Sequence, residues 1–530
     1  MTGLIDLPTE TLHAIIAEVG LEYQHLTIFR SVCKRLNAIT EPSLFSEVTI
    51  NTHPNTLLMT TIPFCKALCN PEFGGSQRAT GPNCLAVHVK KLKITSRPAE
   101  TYSRSRSPLS DYLQSSSLPG FDRESLLNAW PEQFIQTLAS FVNVVSVHWT
   151  ISEHTLKRMF AEIPETLTKH ATLSKFRLEG PYWAPYCPEP ICLHHLKNLQ
   201  TLVINERFPY DGFYASILQP LSTVLKNSPD LEEIELDSPS PTTVRRGPPN
   251  EPYSLADLFA NVSPTVSLKI RKLKLKGLSL ASHMNHEAII IPHLKSLTYL
   301  TVDDGLGMKD DFWRILWKAK ADLEELEVKS GVVEGLLKYL GEFHSGLRIL
   351  HLRGITKGSD SAQLDHLADI FYGSILPRFA RKLRKLVIVP SHEGKWCFEL
   401  HTLDVFSKCT NLQHLEVCLR LGSVYDVMMP LLNLAHALPN LSTLSLRSVG
   451  SPLNQQSWRW SRSDNFSTIE SVLRDAIPAE EHANSPLQIS VGHSMFSIGR
   501  GEDGSLKYCN PRQPNLNLLR GYALEMSRNQ

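Results

Sequence analysis

The sequence has no excess of charge of either sign and no long hydrophobic run. Its 54 lysines and arginines nearly balance its 53 aspartates and glutamates, so the formal net charge is +1. This balance provides no overall field that would attract nucleic acid or an anionic membrane. The most continuous apolar stretch, around Ala288 to Ile291, is far shorter than the roughly 20 residues of a membrane-spanning helix. We therefore expect neither nucleic acid nor a membrane as a partner.

Cysteine is sparse, and the first residues lack the basic segment and apolar run of a secretory signal peptide. The ten cysteines are scattered among 530 residues without the dense spacing of a disulfide scaffold. We therefore expect a soluble chain with reduced thiols, located in the cytoplasm, the nucleus or both. At this length, several units or one elongated stack of repeats are expected instead of a single core.

The first 50 residues predict three short helices. Pro8 suits the first turn of a helix, and Glu10 places a negative charge near its positive end. Apolar residues then recur at helical spacing, first as far as Val19 and again from Leu26 to Leu36, and a short third turn follows Pro42. Three helices in about 40 residues lie near the lower limit for independent stability, so a partner or the rest of the chain should cover part of their apolar surface.

These residues resemble an F-box. The resemblance rests on Leu7-Pro8-x-Glu10-x-Leu12-x-x-Ile15-Ile16, on Ser31-Val32-Cys33-Lys34-Arg35 and on Leu44-Phe45. It implies docking to a Skp-family adaptor, which bridges to the cullin of a ubiquitin ligase. The residues that it implies in adaptor binding are Leu7, Pro8, Leu12, Ile15, Val32, Cys33 and Leu36. Leu36 stands where many F-boxes have tryptophan. The alternative is a three-helix cap whose apolar faces all serve its own core.

From residue 89 onward the sequence repeats the spacing apolar-x-x-apolar-x-apolar. The last two apolar residues of each copy alternate with polar ones, which is typical of a strand with one buried face. Helical patterns fill the intervals, most clearly from Phe312, from Val333 and from Leu364. The twelve copies are Val89/Leu92/Ile94, Val142/Val145/Val147, Leu173/Phe176/Leu178, Leu199/Leu202/Ile204, Leu231/Ile234/Leu236, Ile270/Leu273/Leu275, Leu297/Leu300/Val302, Leu323/Leu326/Val328, Leu347/Leu350/Leu352, Leu383/Leu386/Ile388, Leu412/Leu415/Val417 and Leu441/Leu444/Leu446.

This repeat resembles the leucine-rich repeat, and the whole chain resembles a divergent, fungal-like F-box/leucine-rich-repeat protein. The resemblance implies an α/β fold, in which a three-helix F-box is followed by a leucine-rich-repeat solenoid with a curved parallel sheet. A hairpin between Met495 and Tyr508 is expected to cap the last repeat. The expected divisions are an F-box over 1–50, a linking helix and cap over 51–84, an irregular solenoid over 85–450 with mobile insertions near 96–121 and 238–253, and a C-terminal segment over 451–530.

The residues between the buried strand positions should face the concave side of such a sheet. One group carries opposite charges on adjacent strands and is expected mainly to stabilise the sheet by pairing: Glu233, Glu235 and Asp237 with Lys272, Lys274 and Lys276. A second group has fewer partners of its own. It is predicted to bind an acidic or phosphorylated segment of a target protein, and it comprises Ile349, His351, Arg353, Lys385, Val387 and Val389.

Patterns that would indicate a metal site or an enzyme are weak. Cys65-x3-Cys69 together with Cys84-x3-His88 resembles a zinc-ligand set, but the spacing is not that of a familiar finger, and the first pair also suits the core of a linking helix. The glycines at 499, 501 and 504 precede no helix, and Phe496 replaces the second glycine of a nucleophile elbow. We therefore expect no metal, no cofactor and no catalytic residue.

The predicted function is substrate recognition within a Skp–cullin–F-box ubiquitin ligase. The F-box would bind the adaptor, and the solenoid would hold a target protein near the ubiquitin that is transferred. The alternative is a leucine-rich-repeat scaffold that binds proteins without any ubiquitin-ligase output.

Overall fold

The structure is a computed structural model. It describes residues 7–18, 23–53, 61–69, 85–96, 123–151, 155, 158–180, 191–205, 217, 219–237, 255–276, 287–303, 310–329, 331–342, 346–355, 361–449, 462–483, 485–492, 494–501 and 504–510. The predicted insertions near 96–121 and 238–253 therefore lie almost entirely outside the described residues.

Helices and strands alternate along most of the described chain. The helices are α1 Thr9–Glu18, α2 Tyr23–Val32, α3 Lys34–Leu44, α4 Ile62–Cys69, α5 Arg123–Ser140, α6 Met159–Leu167, α7 Gln219–Lys226, α8 Leu255–Phe259, α9 Glu287–Leu294, α10 Asp310–Ala319, α11 Glu334–Glu342, α12 Ser361–Ile370, α13 Leu376–Phe379, α14 Leu403–Ser407, α15 Val424–Ala437 and α16 Arg462–Asp475. The strands are β1 Glu47–Asn51, β2 Lys91–Thr95, β3 Ser146–Thr150, β4 Lys175–Glu179, β5 Thr201–Asn205, β6 Glu233–Asp237, β7 Lys272–Lys276, β8 Tyr299–Asp303, β9 Glu325–Val328, β10 Ile349–Ile355, β11 Lys385–Pro390, β12 His414–Leu419, β13 Thr443–Ser448, β14 Gln488–Val491, β15 Ser494–Arg500 and β16 Leu506–Cys509.

Two compact units divide the chain. The first comprises Met1–Ile270, Lys276–Leu278 and Ala288–His293, and the second comprises Arg271–Leu275, Ser279–Glu287 and Leu294–Gln530. Strands β1–β6 belong to the first unit and strands β8–β16 to the second, while β7 and α9 contribute residues to both.

The first unit contains a parallel sheet whose strands follow one another in chain order, from β1 to β6. Neighbouring strands stay in one register, so that Leu92 lies beside Val147, and Val147 lies beside Phe176. Parallel neighbours need a crossover connection, and helices such as α6 and α7 lie in these crossovers. The unit is therefore a series of strand-and-helix repeats.

The second unit repeats this arrangement from β8 to β14, again parallel and in chain order. Strands β14, β15 and β16 then pair antiparallel. The predicted hairpin is confirmed, and Gly504 in its turn has a φ of 77°, a conformation that favours glycine. The α/β class and the mostly parallel sheet of repeats are likewise confirmed.

The predicted core positions are confirmed in eleven of the twelve copies, because all three residues of each are buried. In the remaining copy the register is wrong. Val142 and Val145 are 54% and 36% exposed, whereas Val144, Val147 and Trp149 are buried. Two apolar series overlap in this segment, and the series that places the large indole of Trp149 in the core removes more apolar surface from water.

Strand β1 precedes the first predicted copy. It has the same spacing, because Phe45-x-x-Val48-x-Ile50 places Val48 and Ile50 in the core at 3% and 0% exposure. The backbone oxygen of Ser46 accepts hydrogen bonds from Lys90 N at 2.9 Å and Lys91 N at 2.8 Å, which joins β1 to β2. Two residues separate α3 from β1, so the expected division at residue 50 falls within the strand.

The helical patterns that begin at Phe312, Val333 and Leu364 fall in α10, α11 and α12, as predicted. In α10 the apolar residues line one buried face, with Phe312 and Leu316 at 0% exposure. Within the described ranges, no helix has both the length and the hydrophobicity that crossing a bilayer requires.

Candidate functional site

Helices α1–α3 form a small module with its own core, called the N-terminal module below. Its buried residues are Leu12, Leu26, Leu36, Ile39 and Leu44. The Arg35 guanidinium donates hydrogen bonds to the Leu7 backbone oxygen at 2.6 Å and to Thr9 Oγ1 at 3.3 Å. These bonds attach the residues around the start of α1 to α3.

The residues predicted to bind an adaptor fall into two groups. Leu12 and Leu36 lie in the core of the module at 2% and 3% exposure, and Leu7 and Cys33 pack against that core. Cys33 also caps α3, because its Sγ accepts a hydrogen bond from Leu36 N at 3.5 Å. In contrast, Pro8 and Val32 are exposed to solvent. Ile15 lies in α1, and its side chain is outside the described part.

Val32 does not stand alone on the surface of α2. Ile28 lies one turn earlier and is 62% exposed, while Val32 is 59% exposed. Residues four apart share one face of a helix, so this pair presents a contiguous apolar surface to solvent. Sequence reasoning missed Ile28 because the spacing of the second helix predicted its buried face, from Leu26 to Leu36, and not which apolar residues fall outside that face.

The second candidate surface is the open face, defined here as the strand positions that alternate with the buried core residues. In the second unit this face is partly closed. Val387 and Val389 were predicted to contact a target, but they are 0% and 6% exposed. They pack with Cys397, Cys418 and Val449 in a small apolar cluster. That prediction is therefore wrong for the two valines, because the chain after β11 brings Cys397 against them.

Arg353 was predicted to bind an acidic segment of a target, but it is paired within the chain. Its two terminal nitrogens donate to the carboxylate of Glu416 at 2.9 and 3.4 Å. Arg447 Nε donates to the same carboxylate from the other side. Glu416 is only 4% exposed. The three residues form an ionic cluster around a buried carboxylate, and Arg353 is not available to an anionic ligand in this arrangement.

The other predicted residues stay half-buried at the amino-terminal end of the open face. The register places Ile349, Lys385 and His414 side by side on β10, β11 and β12. Lys385 forms no ion pair with any residue that the structure describes. His351 Nδ1 lies 3.8 Å from Glu327 Oε1, a distance that permits electrostatic attraction but is too long for a hydrogen bond.

Burial and neighbouring charges shift the pKa values of two residues on this face. Burial, followed by the charge of Lys385, lowers the pKa of His414 to about 4. Interaction with His351, followed by the charge of Lys329, lowers the pKa of Glu327 to about 2 although burial opposes this. At neutral pH His414 is therefore uncharged and Glu327 is ionised.

Acidification is expected to destabilise the second unit between about pH 6.5 and about pH 4. In that interval the unfolded chain binds a proton at His414 that the folded chain excludes, so the free energy of unfolding falls as the pH falls. Urea denaturation at several pH values checks this. The His414→Gln variant should show a shallower decline, though not a flat one, because the pKa of His436 is also lowered to about 4, mainly by burial.

His366 provides the matched control, because it is an exposed histidine on α12. The His366→Gln variant should keep the full pH dependence of the wild type. Parallel curves for the wild type and the His414→Gln variant would contradict the proposed role of His414.

The open face of the first unit carries a cluster that sequence reasoning missed. Arg177 donates two hydrogen bonds to Glu179 Oε1, at 3.0 Å from Nε and 2.8 Å from Nη2. His148 Nε2 lies 3.2 Å from Glu179 Oε2. Burial alone would raise the pKa of Glu179, but Arg177 and His148 lower it overall. The signal in the sequence was the alternation of charged residues in β4, where Arg177 and Glu179 occupy alternate positions.

One of the expected pairs between acidic and basic strands is present at the end of β6. Lys276 Nζ lies 2.8 Å from Asp237 Oδ1, and both side chains are about one-third to one-half exposed. Such a pair contributes little to stability, on the order of 0–1 kcal/mol.

The two described cysteines of the possible zinc set, Cys65 and Cys69, both lie in α4. Cys65 is buried in α4, and burial, followed by the neighbouring Cys69, raises the pKa of its thiol to about 12. Cys69 Sγ lies 3.4 Å from Ser140 Oγ. Cys84 lies outside the described residues. Within the described ranges, no group of three or more histidine, cysteine, aspartate or glutamate side chains is placed to hold a metal ion.

No protein-family model matches this sequence, and no curated protein is significantly similar to it. The functional argument therefore depends on the residues of the chain and on their arrangement in the structure.

Proposed function

We propose that the chain is a substrate receptor of a Skp–cullin–F-box ubiquitin ligase, acting in the cytoplasm or the nucleus. The N-terminal module would bind the Skp-family adaptor, and the open faces of the strands would bind a target protein. The observation that carries the proposal is the exposed apolar pair Ile28 and Val32, in a module whose Leu7-Pro8 segment resembles that of an F-box.

An exposed pair of this kind supports docking because its burial is favourable. Removing an aliphatic side chain of this size from water contributes roughly 1.5–3 kcal/mol. The rest of the module already has a core, so Ile28 and Val32 are not needed to hold its helices together. A partner that covers α2 would gain this free energy without disrupting the module.

The attachment of the module to the sheet of the first unit also supports the proposal. Helix α3 is followed by β1 after only Phe45 and Ser46, and Ser46 bonds to the chain that enters β2. A short, hydrogen-bonded junction limits the motion between an adaptor on α2 and a target on the open face of the first unit. Such a junction raises the effective concentration of the target at the ligase.

The Val32→Asp variant is expected to lose most of its affinity for the adaptor. A charge at the centre of an apolar interface would be buried without a partner, which costs about 2 kcal/mol or more, or about thirtyfold in affinity. The measurement is co-purification of the full chain with a Skp-family adaptor and a cullin, followed by titration with the purified adaptor.

Thr49→Asp is the matched control, because Thr49 is exposed on β1 and the change adds the same charge outside the module. It should bind the adaptor like the wild type. Equal binding by the Val32→Asp variant would refute docking through α2. Adaptor binding without cullin recruitment, or without ubiquitin transfer to a bound target, would favour the alternative of a scaffold without ligase output.

A further inference from the structure

Four cations occupy the corners of a rectangle on the open face of the first unit, called the cation rectangle below. Lys91 and Lys93 lie on β2, and Lys175 and Arg177 lie on β4. The register places Lys91, Ser146 and Lys175 in one row and Lys93, His148 and Arg177 in the next. With strands about 4.8 Å apart and residues about 3.3 Å apart along a strand, the corners are separated by about 10 Å and 7 Å.

Two of the four cations are available for a ligand. Lys93 and Lys175 are exposed and form no ion pair with any residue in the described ranges. Lys91 pairs with Glu47 at 3.6 Å, but both side chains are more than 60% exposed, so water and salt weaken that pair. Arg177 uses Nε and Nη2 on Glu179, and its Nη1 donates no hydrogen bond within the described part.

The strand between the cations provides the floor of the site. Ser146 and His148 are half-buried on β3, with a lysine or arginine on each side of them. Burial lowers the pKa of His148, although the nearby Glu179 opposes this. His148 therefore adds no charge at neutral pH. Because β3 lies within a sheet with strands on both sides, the rectangle is held by backbone hydrogen bonds on each edge.

We infer that the cation rectangle binds an extended acidic segment of a partner protein. Alternate residues of an extended chain point to the same side and are about 7 Å apart, which matches the spacing of the cations along β2 and β4. A segment that lies above β3 would place two carboxylates between the flanking cations, where each accepts charge-assisted hydrogen bonds. The inference deepens the proposed receptor function by giving the chemical class of the target.

A polypeptide fits this surface better than a nucleic acid does. Single-stranded nucleic acids bind through cationic grooves combined with aromatic side chains that stack on the bases. On the open face of β1–β5, the described strand positions carry no aromatic residue other than His148, because Trp149 and Phe176 face the core.

The test uses the full chain and an eight-residue peptide of alternating glutamate and serine, labelled with fluorescein. Fluorescence anisotropy at low salt should show saturable binding that weakens as salt is added. The Lys93→Glu, Lys175→Glu double variant should bind at least about tenfold more weakly, which corresponds to about 1.4 kcal/mol. The same peptide with glutamine in place of glutamate should not bind.

Lys169 and Lys197 provide the matched control, because both are exposed in the first unit but lie outside the helices and strands. The Lys169→Glu, Lys197→Glu variant changes the net charge equally and should retain wild-type affinity. The alanine pair at Lys93 and Lys175 should also weaken binding, which keeps the test valid if charge reversal disturbs the fold. Circular dichroism checks the fold of each variant.

Three results would overturn the inference: no binding of the acidic peptide, equal weakening in the control variant, or tighter binding of a single-stranded RNA that the Lys93 and Lys175 changes abolish. The assay contains neither adaptor nor cullin. A negative result would therefore say nothing against adaptor docking through α2. A chain that fails to bind the adaptor could in turn still bind the acidic peptide.

Discussion

Replacing Glu416 by alanine is expected to lower the free energy of unfolding of the second unit by about 3 kcal/mol. The carboxylate is 4% exposed and neutralises both Arg353 and Arg447. Removing it leaves two guanidinium groups, each about one-quarter exposed, without an anionic partner. Because these groups are partly in contact with water, we expect a loss of stability at the lower end of the range for a broken buried ion pair. Urea denaturation followed by tryptophan fluorescence measures the change.

Glu325 is the matched control, because it is a half-buried glutamate on the same face that forms no ion pair with any described residue. The Glu325→Ala variant should lose less than about 0.5 kcal/mol, as is usual for a surface position. Equal losses for the two variants would contradict the assigned role of the ionic cluster.

A triple replacement of Glu416, Arg353 and Arg447 by methionine separates charge pairing from packing. Val387 lies directly opposite Glu416 on the neighbouring strand, and Val389 and Cys418 are buried beside it. Since the surroundings are apolar, replacing the whole cluster should recover most of the stability that the single alanine change loses. A triple variant less stable than the Glu416→Ala variant would show that the charges themselves are required.

The core of the repeats could be predicted from the sequence because the spacing of aliphatic residues specifies which strand face is buried. Leu350 and Leu352 illustrate this, since both are fully buried as the pattern requires. The open face could not be predicted in the same way. Many of its residues are polar, and their partners come from strands about 30 or 60 residues away, as Arg447 and Arg353 do for Glu416.

The N-terminal module shows the same limit. The periodicity indicated helices, but the predicted second run from Leu26 to Leu36 spans the end of α2 and the start of α3, and the turn predicted after Pro42 is the end of α3. A helical repeat of apolar residues also does not distinguish those that serve the module from those that remain exposed. Leu36 and Val32 were both predicted to bind an adaptor, and the structure places the first in the core and the second on the surface. Only the packing of α2 against α3 separates them.

The Trp149→Ala change is expected to destabilise the first unit by about 3–5 kcal/mol, because it removes a large buried side chain and leaves a cavity. Trp149 is 1% exposed, and its ring lies 6.1 Å from that of Phe160 between centroids. The Val145→Ala change should cost less than about 1 kcal/mol, since Val145 is 36% exposed. The apolar spacing that starts at Val142 places Val145 in the core and therefore predicts a clearly larger loss for the Val145→Ala variant, as for a buried aliphatic residue. Chemical denaturation of the two variants measures both losses, and a loss of that size for the Val145→Ala variant would refute the register described above.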